Sequence, residues 1–356
     1  MDNGKHSPSI LIVGAGAQGV ITGYHLSLAG ASVTFLVREH RRLAFPSAQN
    51  LYCYDDASVK TFTGYGVVGN LAGLAGRHFD YALVTLDGAS CRSDEGTRLL
   101  TGIGDLVRND DTIVIAGGVG VHDHFVKTTR LPEARILEGT LGCLAYQTDR
   151  VTLPLHPPTD PLELAKTTFA YHHFSNRVGF MLAAQPRGEA ERFAALHSKS
   201  GVSKGIVMGT KLFGIMSTAF FPMTAMCDLA GWPDAQAMSV NRSLMMLGSA
   251  AMREVISLPQ HGWWGRLASP LMRKATLAML LKKMEQDSLP LDFHAFNRFH
   301  HGGKVREQDI QVMKDCIASG AAARRGMTRL RQLVERYEEH CAGARGQAGE
   351  THGEMI

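Results

Sequence analysis

The sequence predicts an α/β domain followed by an all-helical domain, and three observations support this fold class. A glycine-rich turn directly follows an apolar run at residues 10–13. Strand and helix patterns then alternate through the first half of the chain. From about residue 189, Ala, Leu, Met and charged residues recur at helical spacing and β-branched runs disappear. We therefore expect an α/β domain over 1–198, a helical domain over 199–340 and a disordered Gly- and Glu-rich tail over 341–356.

The first elements have the order of a βαβ unit. The apolar run at 10–13 is a strand, an amphipathic segment at 20–28 is a helix, and a second apolar run at 33–37 is the next strand. Between the first strand and the helix lies Gly14-x-Gly16-x-x-Gly19. In this context the motif is typical of a Rossmann-type dinucleotide-binding domain. The alternative is a glycine-rich turn that binds nothing.

Each glycine of the motif has its own physical role. Gly14 allows the tight turn, Gly16 lets the backbone approach a pyrophosphate, and Gly19 lets the helix pack closely on the strand. The N-terminus of the helix then offers free N–H groups and a positive dipole end to the phosphates. We therefore expect residues 14–19 to bind the cofactor phosphates.

Arg38 follows the second strand and indicates which dinucleotide is bound. NAD-selective sites place an acidic residue there, which accepts a hydrogen bond from the ribose 2′-OH. A guanidinium instead pairs with a 2′-phosphate through a planar fork of donors. We therefore expect NADP (NADPH) as the cofactor. The alternative is that Arg38 points to solvent and Glu39 takes the acidic role.

Two further strands, at 79–86 and 112–116, each end in a loop of small residues. Ligands of an open parallel sheet lie beyond the carboxyl ends of its strands, so both loops should face the cofactor. Strands are also expected at 135–142 and 177–184. The predicted cofactor-binding residues are Gly14, Ala15, Gly16, Ala17, Gln18, Gly19, Arg38, Thr85, Leu86, Gly117 and Gly118.

Composition excludes several classes of protein. The net charge of +4 is small for 356 residues and no long basic block occurs, so we expect neither nucleic acid nor a membrane surface as a partner. The uncharged run at 212–227 contains Pro222 and is short for a bilayer span, which favours a buried helix. The six cysteines form no CxxC pair and no signal peptide precedes the first strand, so we expect a cytoplasmic protein with reduced thiols.

Four sequence matches, in order along the chain, resemble the ketopantoate reductase (2-dehydropantoate 2-reductase) family. They are Ile12-Val-Gly-Ala-Gly-Ala-Gln-Gly19 with Phe35-Leu-Val-Arg38, Phe221-Pro-Met-Thr-Ala225, Met284-x-Gln286-Asp287, and Asp292 with Asn297. The resemblance implies an NADPH-dependent reduction of a 2-oxo acid, a small-molecule carbonyl substrate, a role in pantothenate biosynthesis and a homodimer. It also implies that the helical domain contributes to substrate binding and dimerisation.

The chain departs from the family at positions that matter for catalysis. Where the family has a Lys after the third strand, this chain has Asp87, and Gly117 stands where the family has an Asn. Alignment on Pro222 places Phe213 at the catalytic Lys of the family, and Ser217 at one of its Asn residues. A divergent member with a larger or less polar substrate is therefore expected.

Reduction of a carbonyl needs a proton donor within hydrogen-bond reach of the oxygen. The candidates are Lys211, Lys283, Asp292 and Asn297, of which the last two occupy family positions and Lys283 stands where the family has a substrate-binding Ser. Each has a simpler interpretation. The lysines could lie on a solvated helix face, Asp292 could cap a helix, and Asn297 could be an exposed helix residue.

The histidine spacings match no metal-ligand pattern, so we expect no metal site. Three hypotheses remain for the function. The first is a divergent NADPH-dependent oxidoreductase, the second is ketopantoate reductase activity with a relocated lysine, and the third is a non-catalytic NADP-binding sensor or scaffold protein.

Overall fold

The computed structural model describes the backbone of residues 7–353 and the side chains of residues 7–343. The chain divides into two compact units. Unit one contains the described residues up to Thr210 together with Asp287–Asp292. Unit two contains Lys211–Gln286 and the described residues from Phe293 onward. The predicted fold class, an α/β domain followed by a helical domain, is confirmed.

Unit one is built on two sheets. Its strands are β1 (Ser9–Val13), β2 (Ser32–Leu36), β3 (Ala48–Cys53), β4 (Ser58–Thr63), β5 (Gly66–Val68), β6 (Tyr81–Val84), β7 (Ile113–Ala116), β8 (Ile136–Leu141), β9 (Cys143–Gln147), β10 (Phe169–His173), β11 (Val178–Ala183) and β12 (Lys204–Met208).

The larger sheet has eight strands in the order β12-β11-β8-β7-β6-β1-β2-β5. Its centre is parallel, and β1 pairs with both β2 and β6. Side chains of β1 alternate between two cores: Ile10 and Ile12 pack on one face of the sheet, and Leu11 and Val13 on the other. A strand buried on both faces reads as a continuous apolar run, which explains why this segment was recognisable in the sequence.

The helices of unit one cover the sheet and connect its strands. They are α1 (Ala17–Leu28), α2 (Glu39–Arg42), α3 (Gly88–Arg92), α4 (Asp94–Leu106), α5 (His122–Thr129), α6 (Pro161–Leu164) and α7 (Glu189–Ser198). Every strand and helix predicted in this part of the chain is present, with bounds that differ by a few residues.

A second sheet, with four strands in the order β4-β3-β10-β9, was not anticipated from the sequence. β3 and β4 form an antiparallel hairpin, whereas β10 pairs with β3 in parallel across a long stretch of chain. Buried tyrosines, Tyr52 and Tyr171, contribute to its core. No local sequence pattern indicates that β3 and β10 pair, because the two segments lie far apart in the chain.

The boundary between the units lies later than the expected residue 198. The segment 204–208 forms β12, which pairs with β11 in parallel and extends the large sheet. Gly205 lets α7 pack closely on this strand, because a Cβ there would lie 2.6 Å from the Ala194 Cα. The helical domain therefore does not begin at 199, and unit one continues to Thr210.

Unit two contains helices and, among its described residues, no strand. Its helices are α8 (Thr210–Leu229, whose first residue belongs to unit one), α9 (Ala235–Val240), α10 (Arg242–Ile256), α11 (Gly262–Ala268), α12 (Lys274–Ser288, whose last two residues belong to unit one), α13 (Phe293–Phe299), α14 (Arg306–Ala322) and α15 (Thr328–Gly353). Single turns of 3₁₀-helix at Pro259–His261 and Ser269–Leu271 flank α11, and a π-helix follows α13 at His300–Lys304.

Two of these helices bear on the expectations from sequence. By length and composition, α8 is one helix that could cross a membrane. Of the apolar stretch that meets this criterion, 56% is buried within the protein. Buried core helices meet the same criterion. Helix α15 extends to Gly353 and so overlaps the expected disordered tail, 341–356. Residues 354–356 lie outside the described part of the chain.

Candidate functional site

The turn between β1 and α1 forms an open backbone cradle. Gly14 adopts a φ of 100°, a conformation that side chains rarely allow, and its N–H donates to the Leu36 carbonyl at 3.0 Å. Gly16 is the N-cap of α1, and no side chain accepts from the N–H groups of the first turn. A Cβ on Gly16 would meet no protein atom within 4 Å. The turn therefore presents unoccupied N–H groups and open space, as a bound pyrophosphate requires.

Gly19 closes the cradle on its inner side. A Cβ at this position would lie 2.3 Å from the Gly14 carbonyl oxygen and 2.9 Å from Thr85 Oγ1. The Thr85 hydroxyl lies 3.1 Å from the Val13 carbonyl oxygen and 3.2 Å from that of Gly14. The glycine and this threonine therefore pack the start of α1 against the ends of β1 and β6.

The loops that follow β6 and β7 meet the cradle. Gln18 Nε2 donates to the Gly117 carbonyl at 3.1 Å. A Cβ at Gly117 would lie 2.5 Å from the Val84 carbonyl oxygen, and one at Gly118 would lie 3.1 Å from that of Leu86. Because these strands are parallel and adjacent, their carboxyl ends share one edge of the sheet. The structure brings together at this edge Gly14, Ala15, Gly16, Ala17, Gln18, Gly19, Thr85, Leu86, Gly117 and Gly118.

Arg38 is exposed after β2, and its guanidinium is paired. Its Nε and one terminal nitrogen each lie 3.2 Å from a carboxylate oxygen of Glu95, in the first turn of α4. The neighbouring Glu39 is engaged differently. It accepts from Arg42 Nε at 2.8 Å and from Asn70 Nδ2 at 3.3 Å. Glu95 gave no signal in the sequence, because it lies 57 positions away from Arg38.

Asp87, which replaces a family lysine, has a structural role. Its carboxylate accepts from the Ser90 backbone N–H and from the Ser90 hydroxyl, both at 2.8 Å. These bonds cap the N-terminus of α3. The departure from the family pattern at this position is thus explained by the helix that begins there.

The two candidate lysines occupy separate exposed positions of unit two. Lys211 stands at the start of α8, where its Nζ would be 3.0 Å from a Cβ built on Gly262. Lys283 lies on α12. Phe213, at the family position of the catalytic Lys, is buried and cannot donate a proton. The Ser217 hydroxyl donates to the Phe213 carbonyl at 2.7 Å, so its hydrogen bond is made within its own helix.

Asn297 is buried within α13 rather than exposed. Its Nδ2 donates to the Phe293 carbonyl at 2.8 Å, one turn earlier in the same helix. One of its two amide N–H donors is therefore committed to the backbone, which leaves the second N–H and the amide oxygen for other contacts.

Asp292, the last residue before α13, forms a hydrogen-bonded pair with His156. His156 Nε2 and Asp292 Oδ2 lie 3.0 Å apart, and their side chains are 39% and 22% exposed. An antiparallel bridge between Leu155 and Leu291 fixes the two segments next to this pair. Both residues belong to unit one. Sequence reasoning missed His156, which lies in a proline-rich loop without any motif.

A group of buried histidines lies elsewhere in unit one. His173 Nδ1 contacts an Asp55 oxygen, and His172 Nδ1 lies 2.9 Å from the other. Burial alone would raise the pKa of the Asp55 carboxyl, but hydrogen bonds with these histidines hold it well below its usual range. His25 and His197 are fully buried with both ring nitrogens unpartnered.

Burial determines the protonation state of His25 and His197. It lowers the pKa of His197 to about 4, and the neighbouring His173 adds to the effect. Burial, and next His197, place the pKa of His25 well below its ordinary value. Both rings are therefore neutral at neutral pH. Among the described side chains, no group of three or more His, Cys, Asp or Glu is arranged to hold a metal ion.

Comparison with known proteins agrees with the geometry of unit one. Residues 10–153 match the family model of ketopantoate reductase PanE/ApbA. The chain is similar to the ketopantoate reductases. The resemblance predicted from the sequence is thereby confirmed. The match covers the cradle, Arg38 and the loops after β6 and β7, and it ends before His156. No curated protein matches the chain.

Solved structures share the fold over nearly the whole chain. A 2-dehydropantoate 2-reductase from Geobacter metallireducens GS-15 is 17% identical, with a TM-score of 0.58 and coverage of 93% of this chain and 99% of that one. The corresponding protein from Methylococcus capsulatus is 16% identical, with a TM-score of 0.59 and 98% coverage of both. A D-mandelate dehydrogenase with NADH and anilino(oxo)acetate is 14% identical, with a TM-score of 0.62, and 93% and 97% are covered.

Proposed function

We propose that this chain is an NADPH-dependent reductase of a 2-oxo acid or a related carbonyl compound. The observation that carries the proposal is the cradle at Gly14, Gly16 and Gly19, which is open above Gly16 and is met by the loops after β6 and β7. These residues fit a dinucleotide pyrophosphate without rearrangement of the backbone. When bound there, the nicotinamide would supply the hydride.

The preference for NADP rests on Arg38 and on the engagement of Glu39. The carboxylate of Glu39 is already hydrogen-bonded to Arg42 and Asn70, which supports Arg38 as the residue that meets the ribose. The guanidinium of Arg38 already holds two carboxylate oxygens of Glu95 in the forked geometry that a phosphate would use. A 2′-phosphate would replace Glu95 on this fork.

For the proton donor we propose His156, held by Asp292. With Nε2 engaged by the carboxylate, Nδ1 is the atom that could pass a proton to the carbonyl oxygen as negative charge develops there. Asp292 would orient the ring through this hydrogen bond. The position of Asp292 in the sequence matches a substrate-facing Glu of the family, which supports the assignment of this pair as the proton donor. Lys211 and Lys283 are the competing donors, and Asn297 could contribute its second amide N–H or its amide oxygen.

A second candidate function is favoured by one observation. Phe213 is buried where the family has its catalytic lysine, as a chain that binds NADP without catalysis would tolerate. Such a sensor or scaffold would bind NADPH and turn over no carbonyl compound.

The deciding experiment measures NADPH oxidation with ketopantoate and with aryl 2-oxo acids, the latter because the D-mandelate dehydrogenase structure contains anilino(oxo)acetate. NADPH affinity is measured in parallel by fluorescence titration. Turnover with any of these acids supports the reductase. Binding without turnover supports the second candidate, and no binding contradicts both.

A further inference from the structure

Unit two displays an apolar surface that no other part of the described chain covers. Trp263, Trp264 and Leu267 of α11 are 54%, 60% and 61% exposed, and Leu271 in the following turn is 68% exposed. The two indole rings stack on each other with centroids 3.8 Å apart. We call these four residues the tryptophan face. Exposure of two tryptophans and two leucines on one short segment is unusual for a soluble surface.

The face is held outward by the opposite side of α11. Gly265 is buried, and a Cβ there would lie 2.3 Å from the Ile256 carbonyl oxygen. His261 is also buried, and its Nδ1 lies 3.0 Å from the Val255 carbonyl oxygen. These contacts pack the Gly265 side of α11 closely against the end of α10, while Trp263 and Trp264 stay exposed. The exposure is therefore built into the packing of the segment.

The segment that carries the face has charged residues of a single sign. From residue 255 to residue 284 the chain contains no Asp or Glu. The basic residues of this stretch are Arg266, Arg273, Lys274, Lys282 and Lys283. Lys211 adds a further cation beside Gly262, at the start of α11. The small net charge of the whole chain conceals this local excess, and the expectation of no membrane surface rested on that average.

The nearest acidic residues in the sequence, one on each side of this segment, have partners in other helices of unit two. Glu254 accepts from the backbone N–H groups of Arg329 and Leu330, at 3.1 and 2.8 Å, at the start of α15. Glu285 accepts from the Ala235 N–H and pairs with His294, both at 2.7 Å. Both carboxylates therefore have partners outside this segment.

We propose that the tryptophan face binds the surface of an anionic lipid bilayer. Indoles and leucines enter the boundary between headgroups and acyl chains, while Arg266, Arg273 and Lys274 pair with lipid phosphates and carboxylates. A second copy of this chain is the less suitable occupant, because a symmetric contact would bring its cations against their own copies. The inference does not depend on the reductase activity.

The test uses the full chain with vesicles of phosphatidylcholine alone and of phosphatidylcholine mixed with phosphatidylserine. We expect sedimentation only with the phosphatidylserine vesicles, weakened by added salt. Tryptophan emission should shift to the blue on binding. Of the three tryptophans, Trp232 is buried and hydrogen-bonded to Asp228, so the shift reports on the other two.

Two double variants separate the contributions. Trp263→Ser with Trp264→Ser, and Arg266→Gln with Arg273→Gln, should each lower vesicle affinity by about tenfold or more. The matched control is Val240→Ser with Met246→Ser, since these apolar residues are also exposed in unit two, at 77% and 55%. It should bind like the unmodified chain.

Several results would overturn the inference. They are failure of the unmodified chain to bind phosphatidylserine vesicles, equal binding to both vesicle types, or equal loss of binding in the control. A dimer that dissociates in the tryptophan variant, without vesicle binding by the unmodified chain, would assign the face to a second copy instead. The fluorescence shift of the unmodified chain decides the matter even where a variant fails to fold.

Discussion

His156 and Asp292 are 136 positions apart in the sequence, yet His156 Nε2 and Asp292 Oδ2 lie 3.0 Å apart. The bridge between Leu155 and Leu291 places the two backbones side by side. An imidazole that is oriented by a carboxylate is a common acid–base unit. We propose this pair as the proton donor because Phe213, which is buried, stands in the sequence at the position of the family's catalytic lysine.

The first prediction concerns this pair. His156→Gln and Asp292→Asn should each lower kcat for NADPH-dependent reduction by about 10²–10⁴-fold, because proton transfer to the carbonyl oxygen loses its donor or its orienting carboxylate. Affinity for NADPH should change little, since the cradle is built from other residues. Steady-state kinetics and a fluorescence titration of NADPH measure the two quantities.

The chain supplies matched controls for that prediction. His78 and Asp111 form an exposed pair with Nε2 and Oδ1 2.8 Å apart, so His78→Ala removes a similar interaction away from the site. It should leave kcat unchanged, as should Lys211→Ala and Lys283→Ala. Loss of turnover in either lysine variant, with His156→Gln active, would return the donor role to that lysine.

The second prediction concerns cofactor selectivity. Arg38→Ala should weaken NADPH binding by at least about tenfold while NADH binding changes much less, because the guanidinium is expected to pair with the 2′-phosphate. Glu95→Gln should strengthen NADPH binding by about twofold to fivefold, the scale of an exposed ion pair, since a competing carboxylate is removed. Arg41→Ala, in the short helix α2 that follows Arg38, serves as the control. Equal losses for both cofactors in Arg38→Ala would contradict the assignment.

The third prediction compares two glycines of the cradle. Gly16→Ala should leave the free energy of unfolding within about 0.5 kcal/mol, because a Cβ there meets no protein atom within 4 Å. It should nevertheless weaken NADPH binding by obstructing the pyrophosphate. Gly19→Ala should lower the free energy of unfolding by about 1–3 kcal/mol, because the Cβ would lie 2.3 Å from the Gly14 carbonyl oxygen.

Urea unfolding and NADPH titration of both variants test this contrast. If Gly16→Ala binds NADPH as tightly as the unmodified chain does, the cradle is not the phosphate site. If Gly19→Ala is as stable as Gly16→Ala, the close packing of α1 on β1 has no energetic consequence.

The fourth prediction concerns pH. The pKa of His197 is lowered by burial to about 4, below its ordinary value near 6.5 in the unfolded chain. The unfolded state therefore binds more protons between these values, and the free energy of unfolding should fall as pH drops through this window. The limit is about 1.4 kcal/mol per pH unit for each such histidine. His25 should contribute in the same direction.

Urea unfolding at several pH values between about 4 and 7 measures this slope. His197→Leu should flatten it and should cost little stability, since both ring nitrogens of His197 are unpartnered. In His78, a hydrogen bond with Asp111 raises the pKa, so His78→Ala should not flatten the slope. An unchanged slope in His197→Leu would show that other groups control the acid response.

The elements predicted correctly are those whose signal is local. The apolar run of β1, the glycines of the turn and the amphipathic pattern of α1 lie within one short stretch, and their order specifies the βαβ unit. The second sheet escaped prediction because β10 pairs with β3 across a long stretch of chain. β12 escaped because it is a short strand at a sheet edge, adjacent to helical patterns.

Sequence alone determined the fold class, the βαβ unit and the residues of the cradle, because turn geometry and strand–helix order depend on neighbouring residues. Tertiary structure decided which charged groups meet. Glu95 reaches Arg38, and Asp292 reaches His156, only after distant segments have packed together. Hydrophobic periodicity indicates which face of a segment is buried. Contact between two side chains far apart in the sequence depends instead on how their segments pack in the folded chain.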